Sequence, residues 1–347
     1  MAFEVAVLGA GAWGTALAAV LAERGGPVAL WGQRRELCDA IELGRENARY
    51  LPGVALPSGL RCTHDLGAAL DGAKWVVFAV PSHAMRAVAR AASGHLRDGA
   101  PVCVSATKGI ETDTLMFMNE VLAEELPVGV HDRLAVLSGP SFARELAQRR
   151  PTAVVVAARD AGVVSQIIQR FRTDYLRAYA SDDVVGVECG GALKNVIAIA
   201  AGAVDGLGFG HNTRAALITR GLAEVAKLAM ARGGSALTLA GLAGMGDLVL
   251  TCTGELSRNR TVGFEMARGR SLADVLAGLG HVAEGITTAK SAHDLSKKLG
   301  VEMPITSEVH AVLYADKPVS QAVHDLMSRE LGYEFDPRTV ARATWSR

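Results

Sequence analysis

The chain has 347 residues, half of them hydrophobic, and its 36 basic and 36 acidic side chains balance to a formal net charge of zero. That length suits two domains better than one. The apolar content excludes wholesale disorder, and the lack of any long basic run excludes a nucleic-acid binder with a dominant electrostatic footprint. Glycine is frequent (38 residues) and aromatic side chains are few (5%), so tight turns and close backbone approaches are expected rather than an aromatic-rich binding surface.

In chain order, the first feature is an uncharged stretch of 18 residues, Val5–Ala22. Glu4 flanks it, three glycines interrupt it and no basic segment precedes it, so neither a membrane span nor a secretory signal is expected. Val-rich apolar runs follow at Val5–Leu8, Val28–Trp31, Trp75–Val80, Val102–Ala106, Leu134–Leu137 and Thr152–Ala157. They lack strict polar alternation, as strands covered on both faces do. Helical patterns such as Ala12–Arg24 and His83–Leu96 lie between them. This alternation predicts an α/β fold whose N-terminal part is a doubly wound parallel sheet with right-handed crossovers. After a last strand at Leu176–Ala180 the pattern turns helical: Val184–Val204, Asn212–Arg232, Arg260–Ala267, Thr287–Leu299, Thr306–Tyr314 and Val319–Leu326. Gly-rich breaks at Gly206–Gly210 and Gly241–Gly246 separate several of these. The expected division is a sheet domain over 1–182 and a mostly α-helical substrate-binding and catalytic domain over 183–347, packed directly together.

Gly9-Ala10-Gly11-Ala12-Trp13-Gly14 forms a GxGxxG between the first strand and the first helix. In a Rossmann-type sheet Gly9 makes the tight turn, Gly11 leaves room for a pyrophosphate and Gly14 lets the helix approach the strand. The helix N-terminus then faces the phosphates. A Gly-rich turn without ligand is the alternative. The second strand ends in Leu30-Trp31-Gly32-Gln33-Arg34-Arg35, with no carboxylate at its tip for a ribose 2′-hydroxyl. Arg34 suits a 2′-phosphate, so NADPH is expected to bind at least as well as NADH. Solvated charges at a helix start are the other reading of Arg34 and Arg35.

Thr107-Lys108-Gly109 and Ser138-Gly139-Pro140-Ser141-Phe142-Ala143 each follow a strand, at the edge where open α/β sheets bind ligands. The second is equally a strand-to-helix turn. Lys194 lies within the nearly apolar Gly190–Ala200. A lysine there is costly unless paired or functional, and burial brings its pKa toward the working pH; snorkelling at the helix edge is the bland alternative. Asp247, isolated in Gly244–Thr251, either holds the Lys194 ammonium or caps a helix. Ser257-Arg258-Asn259-Arg260 suits a phosphate monoester or a surface helix start. Nine histidines include no metal-ligand spacing. Five scattered cysteines (Cys38, Cys62, Cys103, Cys189, Cys252) read as reduced and cytosolic.

Together these segments resemble the bacterial NAD(P)-dependent glycerol-3-phosphate dehydrogenase family. The likeness runs through GAGAWGTALA (9–18), LWGQ (30–33), ATKGIE (106–111), SGPSFARELA (138–147), GGALKNVIAIAAG (190–202), LITRGLAE (217–224), GLAGMGDLVLTCTGELSRNR (241–260), VAEG (282–285) and GVEMPI (300–305). It implies reduction of dihydroxyacetone phosphate to sn-glycerol 3-phosphate with NADP(H) or NAD(H), without metal, in support of glycerophospholipid synthesis. It further implies Lys194 as proton donor/acceptor, and substrate contacts at Lys108, Gly139, Ser141, Asp247, Ser257, Arg258 and Asn259. Cofactor contacts are implied at Ala12, Trp13, Gln33, Arg34, Tyr50, Lys108, Ala143, Arg258, Val282 and Glu284. Ala12 stands where the family commonly has Ser, and Gln33 where it often has His or Arg. A cytoplasmic homodimer is expected. The competing readings are a β-hydroxyacid dehydrogenase acting on a carboxylate and a non-catalytic NADPH sensor.

Overall fold

The computed structural model describes residues 2–96, 101–279, 283–330 and 334. Eight strands form one sheet: β1 (Val5–Leu8), β2 (Val28–Trp31), β3 (Leu60–Thr63), β4 (Trp75–Phe78), β5 (Val102–Ser105), β6 (Leu134–Ser138), β7 (Thr152–Ala158) and β8 (Leu176–Ser181), in the spatial order β3-β2-β1-β4-β5-β6-β7-β8. Helices α1 (Ala12–Glu23), α2 (Arg35–Gly44), α3 (Leu66–Leu70), α4 (Met85–Ser93), α5 (Met118–Glu125), α6 (Ala143–Ala147) and α7 (Ala161–Phe171) connect them. The order of β1 to β4 comes from β1 itself. Val5 and Val7 join one apolar cluster with Leu17, Leu21 and Ile167, while Ala6 and Leu8 join another with Met85, Ala89 and Val121. A strand buried on both faces needs helices on both faces, and crossover connections supply them.

All the strand pairs are parallel except β6–β7, which is antiparallel, with Ser138 opposite Val155 and Ala135 opposite Ala158. The wholly parallel sheet expected from the sequence is corrected there. The connection from β6 to β7, residues 139–151 with the five-residue α6 among them, returns to the sheet at the edge it left. β7 therefore starts at the edge where β6 ends. β3, which the apolar runs did not reveal, is an edge strand of four residues with Leu60 and Cys62 inward and Arg61 exposed.

The helical half begins at once. Asp183 caps α8 (Val184–Gly206) by accepting the Gly186 N–H at 2.8 Å. It continues with α9 (His211–Ala231), α10 (Ala236–Leu239), α11 (Asp247–Thr253), α12 (Arg258–Ala267), α13 (Leu272–Leu279), α14 (Glu284–Leu299), α15 (Pro304–Tyr314) and α16 (Val319–Met327). Of these, α10 and α13 were not foreseen. The Gly241–Gly246 segment is not a break: Leu242–Gly246 forms one π-helical turn that runs straight into α11. At 23 residues α8 is long and apolar enough to cross a membrane, but 78% of that stretch is buried inside the fold, where α9, α11, α12 and α14 surround it. Its crossing with α12 is backbone against backbone. A Cβ on Gly202 would lie 1.8 Å from the Arg260 carbonyl oxygen, and one on Gly263 would lie 1.8 Å from that of Ile199.

Candidate active site

The site forms where the C-terminal ends of β1, β4, β5 and β6 face α8, α11 and α12. A cavity of about 610 Å³ opens there, walled by the glycine loop, Lys108, Ser141, Lys194, Arg258 and Glu284, among others. A second cavity of the same volume lies at the opposite edge of the strands, near Trp75 and Val102, and holds none of the residues singled out above.

The wall from β1 is the loop Gly9–Gly14. Gly9 has φ +121°, and a Cβ there would lie 2.5 Å from the Ala79 carbonyl oxygen, so only glycine makes this turn. Buried Asn47 steadies the loop, donating to the Ala10 carbonyl at 3.0 Å and to Thr15 Oγ1 at 2.8 Å. No side chain caps α1 at Gly11.

At the centre of the wall from the helical half is Asp247, fully buried. Its Oδ1 accepts from Lys194 Nζ and its Oδ2 from Lys108 Nζ, each at 2.5 Å. Lys194 Nζ also donates to Thr251 Oγ1 at 2.9 Å, and that hydroxyl donates to the Asp247 carbonyl at 2.6 Å. Lys108 Nζ further donates to the Gly139 carbonyl at 3.2 Å. Lys194 therefore does not snorkel, and the cap of α11 is Gly246, not Asp247. Burial brings the Lys194 ammonium down to a pKa of about 8, outweighing the pull of Asp247, with the Lys108 charge acting in the same direction as burial.

The α12 start is part helix cap and part cavity wall. Ser257 caps α12 by accepting the Arg260 N–H at 3.3 Å. Arg258 faces the cavity, and burial lowers its guanidinium pKa. Asn259 donates to Asn195 Oδ1 and accepts the Gly285 N–H, both at 2.9 Å. Arg260 turns away to Asp205, with contacts of 2.7 and 2.8 Å. Glu284 ties the two halves of the chain, accepting from the Ser82 hydroxyl at 2.6 Å and the Ser82 N–H at 3.4 Å. Burial raises its pKa.

Of the other sequence-predicted residues, Ala12, Trp13, Tyr50, Ser141 and Ala143 line the cavity. Gly9 and Gly14 lie under the loop, and Gly139 behind Lys108. Gln33 and Arg34 are exposed and outside the cavity wall. Arg34 reaches back to donate to the Tyr50 hydroxyl, its guanidinium 5.8 Å from the ring centre. Val282 lies outside the described residues. Sequence reasoning missed Thr251, Asn195 and Asn47. Thr251 stands four residues after Asp247, on the same helical face, and Asn195 adjoins Lys194 in the same apolar run, so both carried a signal. Asn47 carried none.

Residues 4–164 match the family described as NAD-dependent glycerol-3-phosphate dehydrogenase N-terminus, and residues 183–324 match its C-terminus. The chain belongs to the NAD-dependent glycerol-3-phosphate dehydrogenase family. It is 53% identical over 334 residues to the glycerol-3-phosphate dehydrogenase [NAD(P)+] of Geobacter sp. (strain M21), covering 96% of this chain and 99% of that one. The protein of the same name from Anaeromyxobacter dehalogenans is 54% identical over 325 residues, covering 93% and 97%. The crystal structure of glycerol-3-phosphate dehydrogenase from Coxiella burnetii superposes with a TM-score of 0.90 at 40% identity, covering 94% of this chain and 99% of that one.

The cavity fits a nicotinamide dinucleotide. A Cβ on Gly11 would enter open space above the loop, the uncapped α1 N-terminus offers N–H groups to a pyrophosphate, and the buried Trp13 Nε1 at the wall has no protein partner. Among the described residues, no group of three or more His, Cys, Asp or Glu could hold a metal ion.

Proposed function

We propose that the chain reduces dihydroxyacetone phosphate to sn-glycerol 3-phosphate with NAD(P)H, and that Lys194 supplies the proton. The observation that carries this reading is one buried carboxylate, Asp247, shared by two lysines in the cavity that also holds the glycine loop and Arg258. When bound, the reduced nicotinamide supplies the hydride for the carbonyl carbon. Gly9, Gly11 and Gly14 shape the loop for the pyrophosphate, with Ala12, Trp13, Ala143 and Glu284 along the same wall. Tyr50, Gln33 and Arg34 serve the adenosine end, and Val282 is added by the resemblance.

Lys194, as ammonium, donates its proton to the carbonyl oxygen as negative charge grows there. A pKa of about 8 keeps it protonated at neutral pH yet ready to give the proton up. Asp247 and Thr251 fix Nζ in place, and Lys108 adds positive charge beside the developing alkoxide. Arg258, with Ser257 and Asn259 at the start of α12, holds the phosphate, while Ser141 lines the same cavity and the Gly139 carbonyl holds Lys108 in place. Lys108, Lys194 and Arg258 carry three positive charges against the carboxyls of Asp247 and Glu284, a surplus of positive charge that suits a phosphate ester.

The test follows NADPH absorbance with dihydroxyacetone phosphate and with 3-oxo acids. Only the phosphate ester is expected to oxidise NADPH. Lys194→Ala should lower kcat by roughly 10²–10⁴-fold and still bind NADPH. Preference for an oxo acid, or near-parental turnover of the variant, rejects the reading. The domain division between residues 182 and 183 is supported by β8 ending at Ser181 and α8 starting at Val184. Five free, buried cysteines support a reducing cytoplasm, where the product would feed glycerophospholipid synthesis. Exposed Met230 and Leu237 on neighbouring α9 and α10 support a homodimer, which light scattering checks.

A further inference from the structure

Beside Lys108 lies a small cavity of about 10 Å³, enough for a single water. Its wall includes Lys108, Ser138, Glu188 and Gly191. Two polar groups there have no part in the mechanism above. Ser138 is 2% exposed, and its Oγ has no protein partner. Glu188, on α8, is 8% exposed and its Oε1 accepts the Asn119 N–H at 2.8 Å. Burial pushes its carboxyl up to a pKa of about 8; Glu120 acts in the same direction, while Arg232 and the Asn119 N–H act against it. Glu120 and Arg232 are themselves an ion pair at 2.5 Å and both reach solvent. Glu188 thus stands between a solvent-exposed ion pair and a cavity that touches the Lys108–Asp247–Lys194 cluster.

We propose that this cavity holds one water joining Glu188 and Ser138 to Lys108, and that Glu188 is the rear entry by which protons return to Lys194 while substrate and cofactor fill the front. The proposal rests on Lys194 being the proton donor. Each reduction leaves Lys194 as neutral amine. Asp247 relays a proton to it from the Lys108 ammonium. Lys108 regains one from the cavity water, and the water from the Glu188 carboxyl. Glu188 takes its replacement from solvent at the Glu120–Arg232 rim. One proton enters for each proton delivered to product, and no electron moves along this path. Glu188 touches neither substrate nor cofactor, so it is a positioning and relay residue.

Glu188→Gln keeps an acceptor for the Asn119 N–H but has no proton to give. The full enzyme, saturated with NADPH and mixed rapidly with dihydroxyacetone phosphate, should then show a burst. The first NADPH per site is oxidised at the parental rate, because Lys194 starts protonated. Later turnovers slow about tenfold, with KM unchanged and a larger solvent deuterium isotope effect on kcat. Ser138→Ala, which removes only the hydroxyl, should give a weaker burst of the same kind. Parental steady-state turnover in Glu188→Gln, or a first turnover slowed as much as the rest, overturns the relay. A parent enzyme that fails to oxidise NADPH with dihydroxyacetone phosphate instead rejects the proposed function itself.

Discussion

Arg34 sits at the cap of α2 and folds back onto Tyr50, whose ring also lies 5.5 Å from the Arg49 guanidinium. A ribose 2′-phosphate at this end of the cavity would meet two guanidiniums grouped on one aromatic ring, a geometry that lysine or glutamine cannot supply. Arg34→Ala should lower the NADPH affinity about tenfold relative to NADH, roughly 1.4 kcal/mol, read by fluorescence titration of both cofactors. An unchanged ratio removes Arg34 from cofactor selection. Single residues were legible in the sequence where they broke their surroundings. Lys194 and Asp247 stood out because a charge in an apolar run has a large desolvation cost and needs a partner, and each is the other's partner. Asn47 was not legible. Its two buried hydrogen bonds reach Ala10 and Thr15, more than 30 positions away, and a polar side chain in a connecting segment has no local feature that marks it.

Elements were legible where burial is two-sided. The Val-rich runs of β1, β2, β4, β5 and β6 could be read because both faces of each strand are apolar. β3 could not, since its alternating edge pattern is only four residues long. The Gly241–Gly246 segment misled for a different reason. Glycine usually punctuates helices, but a helical glycine also lets two backbones touch, and sequence alone does not separate the two uses. The α8–α12 crossing makes the second use concrete. Gly202→Ala places a methyl group against a backbone carbonyl that has no rotamer to yield, so the helices must separate. The expected cost is about 1–3 kcal/mol or more, seen as a lower thermal midpoint. Because α12 carries Arg258 and α8 carries Lys194, KM for the phosphate substrate should rise as well. A variant as stable as the parent would mean that the crossing is looser than described.

At the scale of the whole molecule, buried carboxyls set the pH response, and Glu284, raised by burial, acts in the same direction as the two with the largest shifts. Burial raises Glu188 to about 8 and Glu224 to about 7, each from an ordinary 4.5. Glu224 accepts the Ile305 and Thr306 N–H groups at the start of α15. Between 4.5 and these raised values the folded chain holds protons that the unfolded chain has released, so stability falls as pH rises through that window. His293 and His310, lowered by burial from 6.5, oppose this trend only below about pH 6.5. From pH 6.5 to 8 the ligand-free protein should therefore lose stability, on the order of 2 kcal/mol, measured as a falling thermal midpoint. Above 8 Lys194 works the other way, because its depressed pKa makes the folded chain hold fewer protons at that site, but the five buried cysteine thiols, all raised by burial from 9.0, continue the fall. A midpoint that climbs between pH 6.5 and 8 would contradict the burial of both carboxyls.

The Ser82–Glu284 bridge spans 202 positions of sequence, and Lys194, Asp247 and Arg258 all follow the last strand. A ribosome making this chain completes every strand of the sheet, glycine loop included, before it adds Lys194, Asp247, Arg258 or Glu284. The half-made protein thus has its glycine loop but only one wall of the cavity, which is complete only when translation is nearly done.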